Sequence, residues 1–450
     1  MKLKTPHILL VNPWIHDFAA YDFWAKPLGL LTLAAILKKH GYQASYIDCL
    51  DRFHPKGPHP KPYARHGRGP YLKTRISKPA GLEDIPRHFC RYGIRRQWFK
   101  KDLLSMPKPH LVLVTSLMTY WYSGVKETID VVKGVFSDVP VVVGGIYATL
   151  CNDHAMSYLN VEKIVAGPGE KTILNLAEHF TGFSVRPAFN PDDLETYPYP
   201  ALELQRKIAY VPLMTSRGCP YECKYCASHV LNKKRMLRHP TSVVEEIKYW
   251  HKKYNVHDFA FYDDALLVDS EHHAIPMLEG IIEAGLNIRF HTPNAIHIRE
   301  ISRPIAHLLF QAGFKTLRLG LETAAFDQRP DLDKKLTVHE FRRAVSYLRE
   351  AGFNRNMIGA YLLVGLPGQD EQSIEHSIRI VIENRITPVL SHYSPIPHTA
   401  IWPQAVDSSR YDLESDPIFT NNAIFPCQKD AFSWEKISYL KDLASSPNIS

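Results

Sequence analysis

The chain has 450 residues, 45% of them hydrophobic and 22% charged, with a formal net charge of +8. That composition belongs to a globular protein long enough for two or three domains, and every apolar run is broken by charges or prolines, which excludes a membrane-spanning helix. Seven cysteines is an odd number, and four of them (Cys49, Cys90, Cys151 and Cys427) are scattered, which excludes a disulfide framework and fits a reducing compartment.

The N-terminus leads straight into a strand-like run without a signal-peptide pattern, so a cytoplasmic location is expected. Residues 7–12 read as a buried strand, 27–40 as a helix with Gly41 at its end, and 44–48 as a second strand. Residues 51–108 then interrupt the pattern. They hold eight prolines and 15 Lys and Arg against 4 Asp and Glu, a surplus of +11, so the rest of the chain sums to −3. Alternation resumes with a strand at 111–116, a helix at 125–136, a strand at 139–143, a turn at Gly144-Gly145, a strand at 161–165 and a helix from Glu170. Such alternation predicts a parallel sheet with helices on both faces and a ligand site at the carboxyl ends of its strands.

Residues 183–209 are a linker, with Pro187, Pro191, Pro198 and Pro200 leaving little room for a regular element. A second alternating unit covers 210–402, with strands expected at 210–215, 259–262, 288–291, 316–321, 358–364 and 389–394. Six βα-type units predict a partial (β/α)6 TIM-like barrel with its site at the carboxyl ends of the strands. Residues 403–450 form a less regular C-terminal extension. The fold class is therefore α/β, a Rossmann-like domain over 1–182 followed by the barrel.

The segment Ser216-Arg-Gly-Cys-Pro-Tyr-Glu-Cys-Lys-Tyr-Cys-Ala227 follows the first barrel strand. Its thiolates, Cys219, Cys223 and Cys226, have the spacing to bind three irons of a cubane from one loop, leaving the fourth iron open to a small molecule. Zinc is the alternative and would need a fourth ligand, for which His229 is at hand.

This cysteine pattern, with Tyr225 before the third cysteine, resembles the radical S-adenosylmethionine (SAM) superfamily. The resemblance spans roughly 210–402. It implies a [4Fe–4S] cluster on the three cysteines, SAM bound to the open iron through its amino and carboxylate groups, and reductive cleavage to a 5′-deoxyadenosyl radical. It also implies an electron donor of the flavodoxin or ferredoxin type. Asp263 and Asp264 end the second strand, where the family holds SAM's amino nitrogen. Glu322 ends the fourth, where a family carboxylate meets the ribose hydroxyls. Gly365, Pro367 and Gly368 end the fifth, near the adenine. Each feature alone has a bland reading as a cap or turn. Alternation in 315–323 turns Leu317, Leu319 and Leu321 one way and Arg318 and Glu322 inward, and likewise turns Arg289 and His291 inward. Such charges either pair with one another or contact SAM or substrate.

The first domain resembles the cobalamin-binding domain that precedes many radical SAM cores, with Ser116 after its third strand and Gly144 and Gly145 after its fourth matching small residues that run beside the nucleotide tail. The Asp-x-His-x-x-Gly pattern that supplies a cobalt-ligating histidine is absent from the loop Asn12–Asp17, and His54-Pro-Lys-Gly57 follows the wrong strand. Cobalamin without a protein histidine on cobalt is therefore expected; a Rossmann-like domain that binds no cofactor is the alternative. The aromatics Tyr120, Trp121 and Tyr122 either stack on a planar ligand or pack at an interface. The basic insert reads either as an ordered lid that recruits an anionic ligand, with Arg91, Arg95 and Arg96 at its centre, or as a solvated loop. Nucleic acid is not expected, since the remaining chain is slightly acidic and no nucleic-acid module is present.

The leading reading is a cobalamin-dependent radical SAM enzyme that methylates or rearranges a small-molecule substrate. The others are a radical SAM enzyme whose first domain is a scaffold, and a non-catalytic Fe–S electron-transfer or regulatory protein. A methylthiotransferase fits less well, because Cys49, Cys90 and Cys151 are too dispersed for a second cluster.

Overall fold

Six consecutive residues from His7 to Asn12 are buried, the pattern of a strand covered on both faces. In the computed structural model, which describes residues 5–327, 332–333, 336–428 and 434–445, this strand (β1) lies inside a five-stranded parallel sheet. Its partners are β2 (Gln43–Asp48), β3 (Leu111–Ser116), β4 (Val141–Gly145) and β5 (Lys163–Val165), in the order β5-β4-β3-β1-β2. Strand order reverses between β1 and β3, which marks the carboxyl edge there as the crevice of a doubly wound sheet. The helix Leu28–Lys39 turns Leu30, Ala34 and Leu37 onto the sheet beside Ile8, Leu10 and Leu113. Gly41 follows that helix at φ +86°, a left-handed conformation that suits glycine.

One local expectation is corrected. Gly144 and Gly145 are not a turn but the last two residues of β4, in register with Thr115 and Ser116. The glycines are in the sheet because two backbones meet there, as described below.

The basic insert is ordered around a small antiparallel sheet. Its central strand, Cys90–Tyr92, pairs with Lys73–Arg75 on one side and Ile15–Asp17 on the other. The helix Arg96–Leu104 follows and buries Phe99 and Leu103. The described residues up to Ala209 form one compact unit together with Ser415–Ala423, so a piece of the C-terminal extension is built into the first unit. Asn421 Nδ2 donates to Asp17 Oδ1 at 2.9 Å, and the Tyr122 hydroxyl donates to Asp416 at 2.7 Å.

Residues Tyr210–Glu414 and the described residues from Ile424 form the second unit. It holds six parallel strands in sequential order: β6 (Val211–Leu213), β7 (Asp258–Phe261), β8 (Arg289–His291), β9 (Phe314–Glu322), β10 (Ile358–Val364) and β11 (Thr387–His392). Helices such as Pro240–Tyr254, Val338–Glu350 and Glu371–Glu383 separate them. The sequential order without an edge reversal is that of an open, partial (β/α)6 barrel. The extension adds the helix Trp434–Ser445. No described helix is long and apolar enough to cross a membrane.

At the amino end of the barrel strands, Asp258 is fully buried and takes a bidentate pair from Arg289 at 2.8 and 2.6 Å, while His291 Nε2 lies 3.0 Å from the same carboxylate. For Arg289 and His291 the pairing reading is thus the one observed. At this end of the barrel the charges thus compensate one another.

Candidate active site

The carboxyl edge of the barrel is organised by Asp263, two residues past β7. Its carboxylate is 3% exposed. It accepts Thr215 N–H at 3.2 Å, Ser216 N–H at 2.6 Å and both hydroxyls of these residues at 2.6 Å. Beside it, Asp264 Oδ2 accepts the Gly218 N–H at 3.0 Å. Burial pushes both carboxyl groups up, and the bonds from the loop draw them back. Each carboxylate is therefore turned to the loop that carries the cysteines, at residues 215, 216 and 218. All four donors converge on Asp263 Oδ1, and Oδ2 only shares the Thr215 N–H at 3.2 Å. Behind Thr215 stands His273, 1% exposed, with Nε2 at 2.8 Å from the Thr215 hydroxyl. Burial holds the pKa of this ring down at about 4, so it is a neutral imidazole near neutral pH.

Gly218 sits at φ +88°, and a Cβ there would fall 2.9 Å from the Lys234 carbonyl oxygen. The close approach lets Ser216–Arg217 pair with Met236–Leu237 and starts the loop in a fixed direction. Cys223 is buried, and Cys219 and Cys226 are half-buried. Cys226 N–H donates to the Cys223 carbonyl at 3.0 Å, and Ser228 N–H to Cys226 Sγ at 3.4 Å. His229, the fourth ligand that zinc would need, is exposed. Three thiols on one loop, one of them met by the Ser228 N–H, fit the corners of a cubane.

The sequence reading missed His297. Its Nε2 lies 3.5 Å from Cys219 Sγ, and its ring packs against Tyr221 at 4.5 Å, whose hydroxyl in turn donates to Glu300. The only available signal was position, a histidine just past a barrel strand, and that is too common to single out.

Glu322 ends β9 in the left-handed region, at φ +63°, and Thr323 N–H closes the turn onto the Leu321 carbonyl at 2.7 Å. Left-handed backbone costs a non-glycine residue roughly 1–3 kcal/mol and collects at functional sites. The strain carries the carboxylate back over Gly320, where a Cβ would stand 3.1 Å from Glu322 Oε1. Tyr225 is close enough that burial first, then the charge of Glu322, pushes its phenol well up. The structure thus brings Tyr225 and Glu322 together. Arg318 lies along the same strand, its guanidinium against Gly359 and donating to the Leu317 carbonyl at 3.1 Å. In the turn after β10, Gly365 (φ +93°) and Gly368 (φ +70°) flank Pro367. Gln369, also unforeseen, staples that turn: its Oε1 accepts Gly365 N–H at 2.8 Å and its Nε2 donates to the Leu363 carbonyl at 2.9 Å.

The carboxyl edge of the first sheet is built differently. Ser116 is fully buried, donating to the Gly144 carbonyl at 2.8 Å and accepting Ala148 N–H at 3.2 Å. Gly145, at φ +107°, sits so close that a Cβ would lie 2.2 Å from the Ser116 carbonyl oxygen. A Cβ on Gly144 meets only Val165, at 3.7 Å, and that residue is half-exposed. Smallness at Gly145 thus joins two strands, and only Gly144 leaves space along the edge. Of the three aromatics, Tyr120 is buried, Trp121 Nε1 donates to Asp17 at 2.6 Å, and Tyr122 packs against Tyr147, His154 and Tyr158. His16 is held by Ser123 and Glu127, and His54 is stacked on Trp98 at 5.0 Å beside Asp102.

Fold and site define a two-domain α/β enzyme with an iron–sulfur loop. Residues 213–381 match the radical SAM superfamily model, and residues 103–177 match that of the B12 binding domain. The chain thus carries a radical SAM domain and a B12-binding domain, which imply a [4Fe–4S] cluster, SAM and cobalamin as its cofactors. It is 24% identical over 326 residues to an uncharacterized methyltransferase of Pyrococcus horikoshii, covering 66% of this chain and 70% of that protein. It is 21% identical over 435 residues to cytidylyl-2-hydroxyethylphosphonate methyltransferase of Streptomyces wedmorensis, covering 82% and 75%. Among solved structures it is similar in fold to the radical SAM methyltransferase TsrM of Kitasatospora setae, with a TM-score of 0.65, 18% identity and coverage of 90% and 78%.

Proposed function

We propose that this protein is a cobalamin-dependent radical SAM methyltransferase acting on an unactivated carbon or phosphorus centre of a small anionic substrate. The observation that carries the reading is a cysteine loop clamped at the barrel's carboxyl edge in the same chain as a B12-binding sheet. The methyltransferase names of the relatives in Pyrococcus horikoshii and Streptomyces wedmorensis support methyl transfer, and the cytidylyl phosphonate in the second name supports an anionic substrate. When bound, the cluster and SAM supply one-electron cleavage chemistry, and the corrinoid supplies a carrier for a methyl group.

The chain's own residues do the holding. Cys219, Cys223 and Cys226 bind the cluster. Asp263 and Asp264 fix the loop through its backbone, a positioning role, and His273 backs the Thr215 hydroxyl. Glu322, beside Tyr225, offers an acceptor for ribose hydroxyls, Arg318 lines the same strand, and the turn of Gly365, Pro367 and Gly368 leaves room for a flat base. On the first sheet, Ser116, Gly144 and Gly145 keep the carboxyl edge low for the corrinoid's nucleotide tail. A flavodoxin- or ferredoxin-type protein in the cytoplasm delivers the electron.

The test is reconstitution of the full chain with iron, sulfide and hydroxocobalamin. The purified protein is expected to retain corrinoid absorption and, with SAM and a low-potential reductant, to form 5′-deoxyadenosine or S-adenosylhomocysteine. A protein that assembles its cluster but retains no corrinoid refutes the cobalamin-dependent reading.

A further inference from the structure

A cavity of about 860 Å³ opens on the first unit between the strands Lys73–Arg75 and Cys90–Tyr92, the helix Arg96–Leu104 and the helix Tyr122–Val135. Five cations line it: Lys73, Arg91, Arg95, Arg96 and Lys100. Their charges are not balanced locally. Arg91 is anchored by Glu127 at 2.6 Å, and Glu127 is further occupied by His16 at 2.9 Å. Arg96 reaches the same carboxylate only at 3.9 Å. Asp130, the single acid in the lining, is already paired with Lys126. Among the described residues, Lys73, Arg95 and Lys100 have no carboxylate within 4.0 Å, and all three are exposed. Arg95 is held instead over the Trp98 ring, 5.5 Å from its centroid, which fixes the guanidinium without neutralising it. Gly134 lines the cavity with open space where a side chain would stand.

Cations crowded around a concave space repel one another unless an anion joins them, and an arginine fork matches phosphate oxygens two at a time. The volume suits a small molecule, while the lining offers no exposed ring for a base to stack on. We propose that this cavity binds the phosphate chain of a small phosphorylated ligand, such as a nucleotide or nucleotide conjugate, with Lys73, Arg95, Arg96 and Lys100 as its contacts and Arg91 as the fixed residue at its base. This assignment is independent of the methyl-transfer reading, because its five cations all belong to the basic insert.

The experiment titrates pyrophosphate, tripolyphosphate, ATP and CTP into the cofactor-loaded full chain by calorimetry at low ionic strength. Saturable binding of tripolyphosphate is expected. It weakens about tenfold or more in Arg95→Gln/Lys100→Gln, with the melting temperature unchanged. Exposed lysines elsewhere serve as the control: Lys252→Gln/Lys315→Gln leaves binding as it was. Nucleotides tighter than tripolyphosphate assign the site to a nucleotide, and equal affinities assign it to the phosphate chain alone. Absence of saturable binding overturns the proposal, as does equal weakening in the control. A single-stranded RNA oligonucleotide bound far more tightly than tripolyphosphate, and lost in the cavity variant, overturns it in favour of a nucleic-acid surface.

Discussion

The two sheets of this protein each present a carboxyl edge, and the edges are held by opposite means. In the barrel, side chains do the work: Asp263 and Asp264 reach across from β7 to the backbone of residues 215–218, and Glu322 is bent into a left-handed turn. In the first sheet, side chains are removed: Gly145 lets its backbone rest against Ser116, whose hydroxyl bridges to Gly144 and Ala148. On the function proposed above, the difference follows from the task. A loop that presents three thiols must be fixed in space by bonds to its backbone. An edge that a large flat cofactor lies along must stay low, and its strength then comes from strand-to-strand contact.

Substitutions that act on one edge and spare the other test that contrast, and the largest effect belongs to the cysteine loop. Cys223→Ala is expected to lose the cluster and all SAM cleavage, while Cys427→Ala, also buried but far along the chain, retains both. Iron and sulfide analysis of the two variants decides it; equal loss in both means that the three-cysteine assignment is wrong.

Gly145→Ala is next. It places a Cβ against the Ser116 carbonyl at a left-handed φ, which is expected to cost on the order of 3 kcal/mol. Corrinoid retention should fall while iron content holds. Loss of iron together with corrinoid would show that the two edges are not independent.

His273 supplies a pH test of the barrel edge. Its folded pKa of about 4 lies below its ordinary 6.5. The unfolded chain therefore takes up a proton that the folded chain refuses. The stability this group contributes is complete above about pH 6.5 and is lost as pH falls toward 4, on the order of 3 kcal/mol in all. Urea denaturation at pH 7 and pH 4.5 should show this fall in the native protein and a smaller one in His273→Gln. Identical pH dependence of the two proteins would remove His273 from the account.

The smallest effect is expected at His16 and His54. Both are engaged within the first unit, His16 by Ser123 and Glu127 and His54 by Trp98 and Asp102. Electron paramagnetic resonance of the bound Co(II) corrinoid is expected to show no nitrogen splitting from a protein imidazole, and His16→Gln and His54→Gln should leave the spectrum unchanged. A protein-derived splitting that either substitution abolishes would place a histidine on cobalt.

The sequence by itself determined the fold class, the strand-by-strand alternation of both units and the cysteine loop. Those signals are local: buried runs such as His7–Asn12 and Ile358–Val364 name their own element, and three cysteines on one loop need no distant partner. It also exposed the charge of the insert, because composition survives folding. Only the tertiary structure decided what the polar residues do. Asp263 reads as a ligand in sequence, but four donors from residues 47 and 48 positions away converge on its Oδ1. Gly145 reads as a turn, yet it is paired in a strand because Ser116 stands behind it. His297 reaches Cys219 across 78 residues, and Asp416 returns to Tyr122 across 294. Hydrogen bonds and close backbone approaches at such separations depend on which strands the fold makes neighbours, and one-dimensional spacing carries no record of that.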